Sequence, residues 1–470
     1  MKERGLQGPV LPFILIGHAL FIGLAILAIL HWRERVVHVD SAYQIFKWVQ
    51  KGGVEVEAHR FGAVLPQLMV KLLKAMGASL RTLLITASLG HVLVSYGIFI
   101  GLAHVLHRPW IAAASALAAV LCTRLTFYGI VLEANYLLSY PFLLAGLLDR
   151  PADAWKRHAG WIAVVLFGVL TVHPVGFLLA LFVIALNWLR HQGPVRPYLV
   201  LGGVVLAWGA VGRLLFPPSG YEAGLYQAAI EGVSASGPAN PALDFLVGHT
   251  WRHTTHYMAL WGVLLITLIT LAMARSWRIL ALLLIAFSGY NILNIVTYHA
   301  GETAMMMEKN FVPLATIVAL PLMAALSGMP QRWKAWLAVP FLLVVFIQFR
   351  GISFASRAAG ERMHRIAGLV DIMAKEHLNK AVLTNEQLDA AGLHIHWALP
   401  YETLLLSTVD PPHVGRTAMA VRELGTTPIP QGLNFHAWND DLPASALDPR
   451  HFFIPDTPYV VLSGPIHLEP

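Results

Sequence analysis

The sequence reads as an all-α polytopic membrane protein carrying a small C-terminal α/β domain outside the cytoplasm. Three observations predict this. Of 470 residues, 57% are hydrophobic and only 13% charged, with a mean hydropathy of +0.61. Apolar runs of membrane length recur from residue 10 to about residue 350. Beyond Arg350 the hydropathy falls to that of a soluble domain.

Taken in order, the apolar runs give about eleven spans, at 10–30, 83–105, 110–127, 136–148, 161–171, 175–189, 198–216, 257–273, 279–296, 311–326 and 333–349. The first ends in HWRERVVH and lacks a small-residue cleavage site, so it reads as a retained span. Several are shorter than about 18 residues, which requires neighbouring helices or a thinned bilayer to cover them. The basic turns MKER, HRP at 107, DRPADAWKRH at 149, RHQGPVRP at 190, ARSWR at 274 and QRWK at 331 alternate with other loops. Lys and Arg collect on the cytoplasmic side, so the N-terminus is expected inside and the C-terminal domain outside. The formal charge of +7 is accounted for by these turns, and nucleic-acid binding is not expected.

Residues 38–74 depart from a plain bundle. Ala42, Ile45, Phe46 and Val49 recur at helical spacing behind Ser41 and Gln44, which stand at capping-box spacing. After Gly52-Gly53, a second stripe runs through Leu65, Leu68, Met69, Leu72, Leu73 and Met76. Two amphipathic helices within 38–76 are therefore expected to lie in the interface, apolar side down, with His38, Asp40, His59 and Arg60 above the bilayer. Further along, the unusual polar residues again fall at outer ends: Glu133 and Asn135, His173-Pro174, the loop 217–256, then Glu302, Glu308 and Lys309. Ionisable groups beside a membrane are costly unless they pair or work, so a site at the outer surface is the economical reading. Met305, Met306 and Met307 suit a pliable wall against an acyl or prenyl chain, and Lys309 suits a phosphate.

The C-terminal region, 351–470, predicts an amphipathic helix at 357–378 and strands at 381–384, 404–408, 417–421 and 459–462. It has no Gly-rich phosphate loop, and His394 and His396 read as an ordinary surface pair. The single Cys122 excludes an intrachain disulfide, and no Asn-x-Ser/Thr sequon occurs, which favours a bacterial inner membrane.

The first span, the outer loop opened by HVDSAYQ and containing HRFGAVLP, the late outer loop and the C-terminal outer domain together resemble the GT-C glycosyltransferases. That superfamily includes protein O-mannosyltransferases and the aminoarabinose transferases of lipid A. The resemblance covers the whole architecture but few residues, and the WWDYG-type signature of oligosaccharyltransferases is missing. It implies a polyprenyl-phosphate-linked sugar donor, and Asp40 as catalytic base or ligand of a divalent cation such as Mg2+ or Mn2+. Many members carry adjacent acids at this point, whereas here one Asp follows His38-Val39. Arg60 and Lys309 would then meet the donor phosphate, with His38, His59, His173, Glu302 and Glu308 as further substrate-binding groups. Two other classes compete. A transporter should carry charges near span centres, where Arg213 stands nearly alone, and a non-catalytic scaffold would need no outer polar cluster.

Overall fold

The computed structural model describes residues 8–150, 152–217, 220–235, 240–248, 258–411, 413–424, 434–438, 440–464, 466 and 468. It is mostly helical, and among the described residues six helices are long and apolar enough to cross a membrane: Leu11–Leu30, Leu80–Val105, Val195–Gly212, Trp277–Thr297, Ala304–Gly328 and Trp333–Lys375. The chain is an integral membrane protein by this measure. Of the about eleven expected spans, several fold as shorter helices. Residues 136–148 divide into a 3-10 turn, Glu133–Leu138, and the nine-residue α7, Tyr140–Leu148, whose second residue is Pro141. Likewise 161–171 becomes the 14-residue α8, Ala159–Val172, and Pro174 separates it from α9, Gly176–His191. Part of the expected outer loop 217–256 folds as a helix, Gly220–Ala235, whereas 249–257 lies outside the described residues.

Small side chains let the bundle close at its centre. In α6, Pro109–Leu121, the residues Ala112, Ala113, Ala114, Ala116 and Ala118 are fully buried, several of them in the same core as Ala315 and Ala319 of helix Pro313–Gly328. Close backbone approach is the main source of helix association where lipid is as apolar as leucine. At one end of the bundle the basic turns converge on Asp149, which accepts from Arg108 at 3.1 Å, Arg190 at 3.0 Å and His191 at 2.9 Å.

At the other end, α1 (Leu11–Leu30) leads through α2 (Trp32–Val36) into α3, Val39–Gln50, and α4, Leu65–Ala75, before α5, Leu80–Ile100, returns across the bundle. Ser41 does not cap α3. The N-cap is His38, without a side-chain cap bond, and Ser41 is buried as the third residue of the helix. Nor do both helices turn their apolar sides to the bilayer. Phe46 of α3 packs against Tyr401, Phe435 and Phe452 of the C-terminal domain at ring separations of 5.3 to 5.4 Å.

The C-terminal domain is joined without a break. Helix Gln331–Lys375 runs 45 residues from the bundle into the domain, so the expected separate helix at 357–378 is its second half. Pro340 lies within it. A parallel sheet follows in the order β2-β1-β5, from β1 (Lys380–Thr384), β2 (Thr417–Val421) and β5 (Val460–Val461), with Ala381 opposite both Ala418 and Val460. An antiparallel hairpin, Asn434–Ala437 with Asp440–Pro443, was not expected. Residues 404–408, expected as a strand, belong to helix Leu399–Val409. That helix is buried along its whole length, so its apolar residues show no period from which its shape could be told.

Candidate functional site

Where α3 meets the bundle, the turn His38-Val39-Asp40 opens on a cavity of about 290 Å³. Its walls come from five parts of the chain. His38, Asp40 and Ser41 supply polar atoms; Leu125, Val131 and Leu132 come from the segment after α6; Met305 and Met306 come from the helix that starts at Ala304; Ala358 and Ala359 come from the long helix, and Ile395 from the C-terminal domain. Gly129 belongs to this wall, where a Cβ would stand 2.5 Å from a Leu132 methyl and 3.1 Å from the Met305 sulfur. Cavities of this kind, mostly apolar with a few convergent polar groups, are the usual form of small-molecule sites.

The Asp40 carboxyl is held above its ordinary range, first by burial and then by the neighbouring Glu133 charge, with Lys309 acting in the opposite direction. Burial also holds the His38 imidazole below its usual value, against the attraction of Glu402. It is therefore neutral at pH 7 and can donate or accept. Val39, between them, has φ +35°, a left-handed conformation that β-branched residues avoid and that costs about 1–3 kcal/mol.

Arg60 lies in the same neighbourhood. Its Nη1 donates to Glu133 at 2.9 Å and its Nη2 to Glu222 at 3.1 Å, while Nε is buried without a hydrogen-bond partner. Both terminal nitrogens are already held by carboxylates, and a phosphate would have to share them through their second hydrogens or displace a carboxylate, which makes Arg60 a less direct phosphate ligand than its charge suggested. His173 ends α8, and its Nδ1 accepts from the Val175 amide at 3.3 Å. Burial, with Arg60 and Lys309 nearby, keeps this imidazole well below its ordinary value. Lys309 is half-buried and lies within electrostatic reach of Asp40, Glu133, Arg60 and Glu302. Asp40, Arg60, His173 and Lys309 thus come together from four distant parts of the chain.

His59 and Glu308 stand apart. His59 is exposed, with its ring 5.0 Å from Phe216. Glu308, expected among the substrate-binding groups, is buried and turned inward. Its Oε1 accepts from the Arg124 amide at 2.6 Å, the Thr126 amide at 2.8 Å and the Thr126 hydroxyl at 2.8 Å. A carboxylate one residue before Lys309 on the same helix faces elsewhere, because i and i+1 lie about 100° apart. Glu302 is exposed beside Lys309.

Glu133 and Glu222 were not singled out as site residues, although each pairs with Arg60. The signal for Glu133 was its place at an outer end; Glu222 sits in a helix that the sequence presents only as loop. Glu133 is engaged by Arg60 and Glu402 by Arg362, and among the described residues no three carboxylate, imidazole or thiol groups converge into a metal cluster. No family model matches the chain, and no match was found among curated proteins or solved structures.

Proposed function

We propose that this chain is a membrane glycosyltransferase that moves a sugar from a polyprenyl-phosphate carrier to an acceptor hydroxyl at the outer face of a bacterial inner membrane. The observation that carries the reading is the placement of one carboxyl, Asp40, in the wall of a part-apolar cavity within electrostatic reach of Lys309. In the reaction, the acceptor hydroxyl loses its proton to Asp40 as its oxygen bonds to the anomeric carbon, and the bond from that carbon to the carrier phosphate breaks. Lys309 stabilises the negative charge that collects on the departing phosphate. Met305 and Met306 offer the polarisable, adaptable surface that a prenyl chain needs. Neutral His38 and His173 are suited to orienting hydroxyls rather than neutralising charge.

Transfer from a radiolabelled polyprenyl-phosphate sugar, measured in proteoliposomes, tests this. Asp40→Asn should slow transfer by about 10² or more while donor binding stays within about twofold, since a base acts in the transition state and not in binding. Lys309→Ala should weaken donor binding by about tenfold or more, the worth of one charged hydrogen bond. Transfer by Asp40→Asn at the wild-type rate would remove the base from this scheme. The orientation has its own test. A reporter active only in the periplasm, fused to the C-terminus, should be on, because the outer domain packs on α3, at the opposite end of α5 from the basic turns around Asp149.

A further inference from the structure

The left-handed Val39 stands immediately before Asp40, and both residues line the cavity. Strain of this kind persists only where the surroundings over-determine it, and here the restraint is visible. The Val39 amide donates to Oε1 of Glu402 at 2.8 Å, a residue 363 positions later that belongs to the outer domain. Glu402 is 0% exposed. Its carboxylate is fixed in turn by Arg362 of the long helix, with Nε on Oε1 at 2.7 Å and Nη2 on Oε2 at 2.7 Å. The same Nη2 donates to the Ile395 carbonyl at 2.6 Å, and Ile395 is itself part of the cavity wall. One oxygen of a buried carboxylate therefore takes two donors, a guanidinium from the long helix and a backbone amide from the first outer loop. An ion pair that only joined the long helix to Leu399–Val409 would not need the second.

We propose that Glu402 and Arg362 are positioning residues, which clamp the Val39 peptide in its left-handed turn and so aim the Asp40 carboxylate into the cavity. The role of Asp40 rests on the glycosyltransferase reading; the clamp does not. A competent site then requires the outer domain to be docked on α3, and a chain whose outer domain is loosened keeps every cavity residue but loses the direction of its base.

The test uses the full-length chain in nanodiscs, with hydrogen exchange of the segment 38–42 as the first reading and sugar transfer as the second. Glu402→Gln keeps an oxygen but sets an amide against the guanidinium. It should speed exchange at 38–42 by about tenfold or more, leave β1 protected, and lower transfer with little change in donor binding. Glycine adopts a positive φ without steric cost, so Val39→Gly added to Glu402→Gln should recover several-fold of the lost transfer. If Glu402→Gln does not fold, Arg362→Lys replaces it, since a lysine cannot hold both carboxylate oxygens and the Ile395 carbonyl, and the same readings apply. Unchanged exchange at 38–42 in a folded variant overturns the clamp. So does a rise spread equally over β1 and 38–42, which would mark Glu402 as a general stabiliser of the domain. Faster exchange with wild-type transfer overturns the positioning role. A wild-type chain that transfers no sugar would sink the reading of Asp40, and the exchange experiment would still decide the clamp.

Discussion

Helices α3 and α4 are neighbours with the same sequence signature, yet they end in different surroundings. Along α3, Ala42, Ile45, Phe46 and Val49 are buried, and the aromatic rings of the C-terminal domain close over Phe46. Along α4 only Pro66, Gln67 and Val70 are buried, and Leu65, Leu68, Leu72 and Met76 form an exposed stripe at i, i+3, i+7 and i+11. Leu72 is 63% exposed and Met76 73%. Helical periodicity says that a stripe must be covered; it does not say by what. The stripe of α3 is covered by protein, and that of α4 has the form of a helix lying in the membrane interface.

The comparison can be broken most directly through stability. Phe46→Ala should cost about 3–5 kcal/mol and lower the unfolding temperature of the C-terminal domain in detergent, followed by tryptophan fluorescence. Leu72→Ala in the same assay should stay within about 0.5 kcal/mol. Equal losses would mean that α4 is packed against something other than lipid.

A spin label at Leu72 sharpens the second half of the contrast. In nanodiscs it should be relaxed more strongly by dissolved oxygen than by a water-soluble nickel complex, with the order reversed for a label at Lys71 on the other side of α4. Leu72 and Lys71 reporting the same environment would take α4 out of the interface.

Acidity tests what the burial of α3 does to its one carboxyl. Asp40 has its folded pKa raised, so protonation favours the folded chain: its contribution to stability is present below the unfolded value and is lost as pH rises through the folded one. In the proposed reaction, transfer needs the ionised form. The rate should therefore fall by about tenfold per pH unit on an acid limb lying above the ordinary carboxylate range, and Asp40→Asn should abolish that limb.

The smallest effect concerns the tie from α4 to the C-terminal domain, where Lys74 meets Asp448 at 3.0 Å. The Asp448 carboxyl is held well below its ordinary range, first by Arg450 and then by Lys74. Its contribution is present above the unfolded value and lost as pH falls through the folded one. Lys74→Met should cost about 0.2–1 kcal/mol at neutral pH, allowing for solvent screening, and less in strong acid.

What the sequence disclosed follows the same division. Leu11–Leu30 and Leu80–Ile100 were legible because lipid-facing helices must be apolar throughout. The strands β1 and β2 were legible as short apolar runs between turns. Helix Leu399–Val409 was not, since burial on every side erases the period that separates helix from strand. The break at Arg350 suggested two helices, but a polar residue inside a helix marks a change of surroundings and need not end it. Asp40 stood out as an acid at the head of a loop. Glu402 did not, because nothing local distinguishes a carboxylate whose partners are Val39 and Arg362, far away in the chain. The same reason hid the error at Ser41: a capping box is a local pattern, and the start of α3 is set from outside.

Helix Gln331–Lys375 is about 67 Å long at 1.5 Å per residue, and from Pro340 to Arg362 is a span of about 33 Å. Such a rod acts as a lever. Pivoting by about 5° near the proline would carry Arg362 sideways by about 3 Å, as far as the length of the hydrogen bonds it makes. A helix longer than the bilayer is thick can accommodate by tilting. A tilt of this rod would be felt at the backbone turn that Arg362 and Glu402 hold.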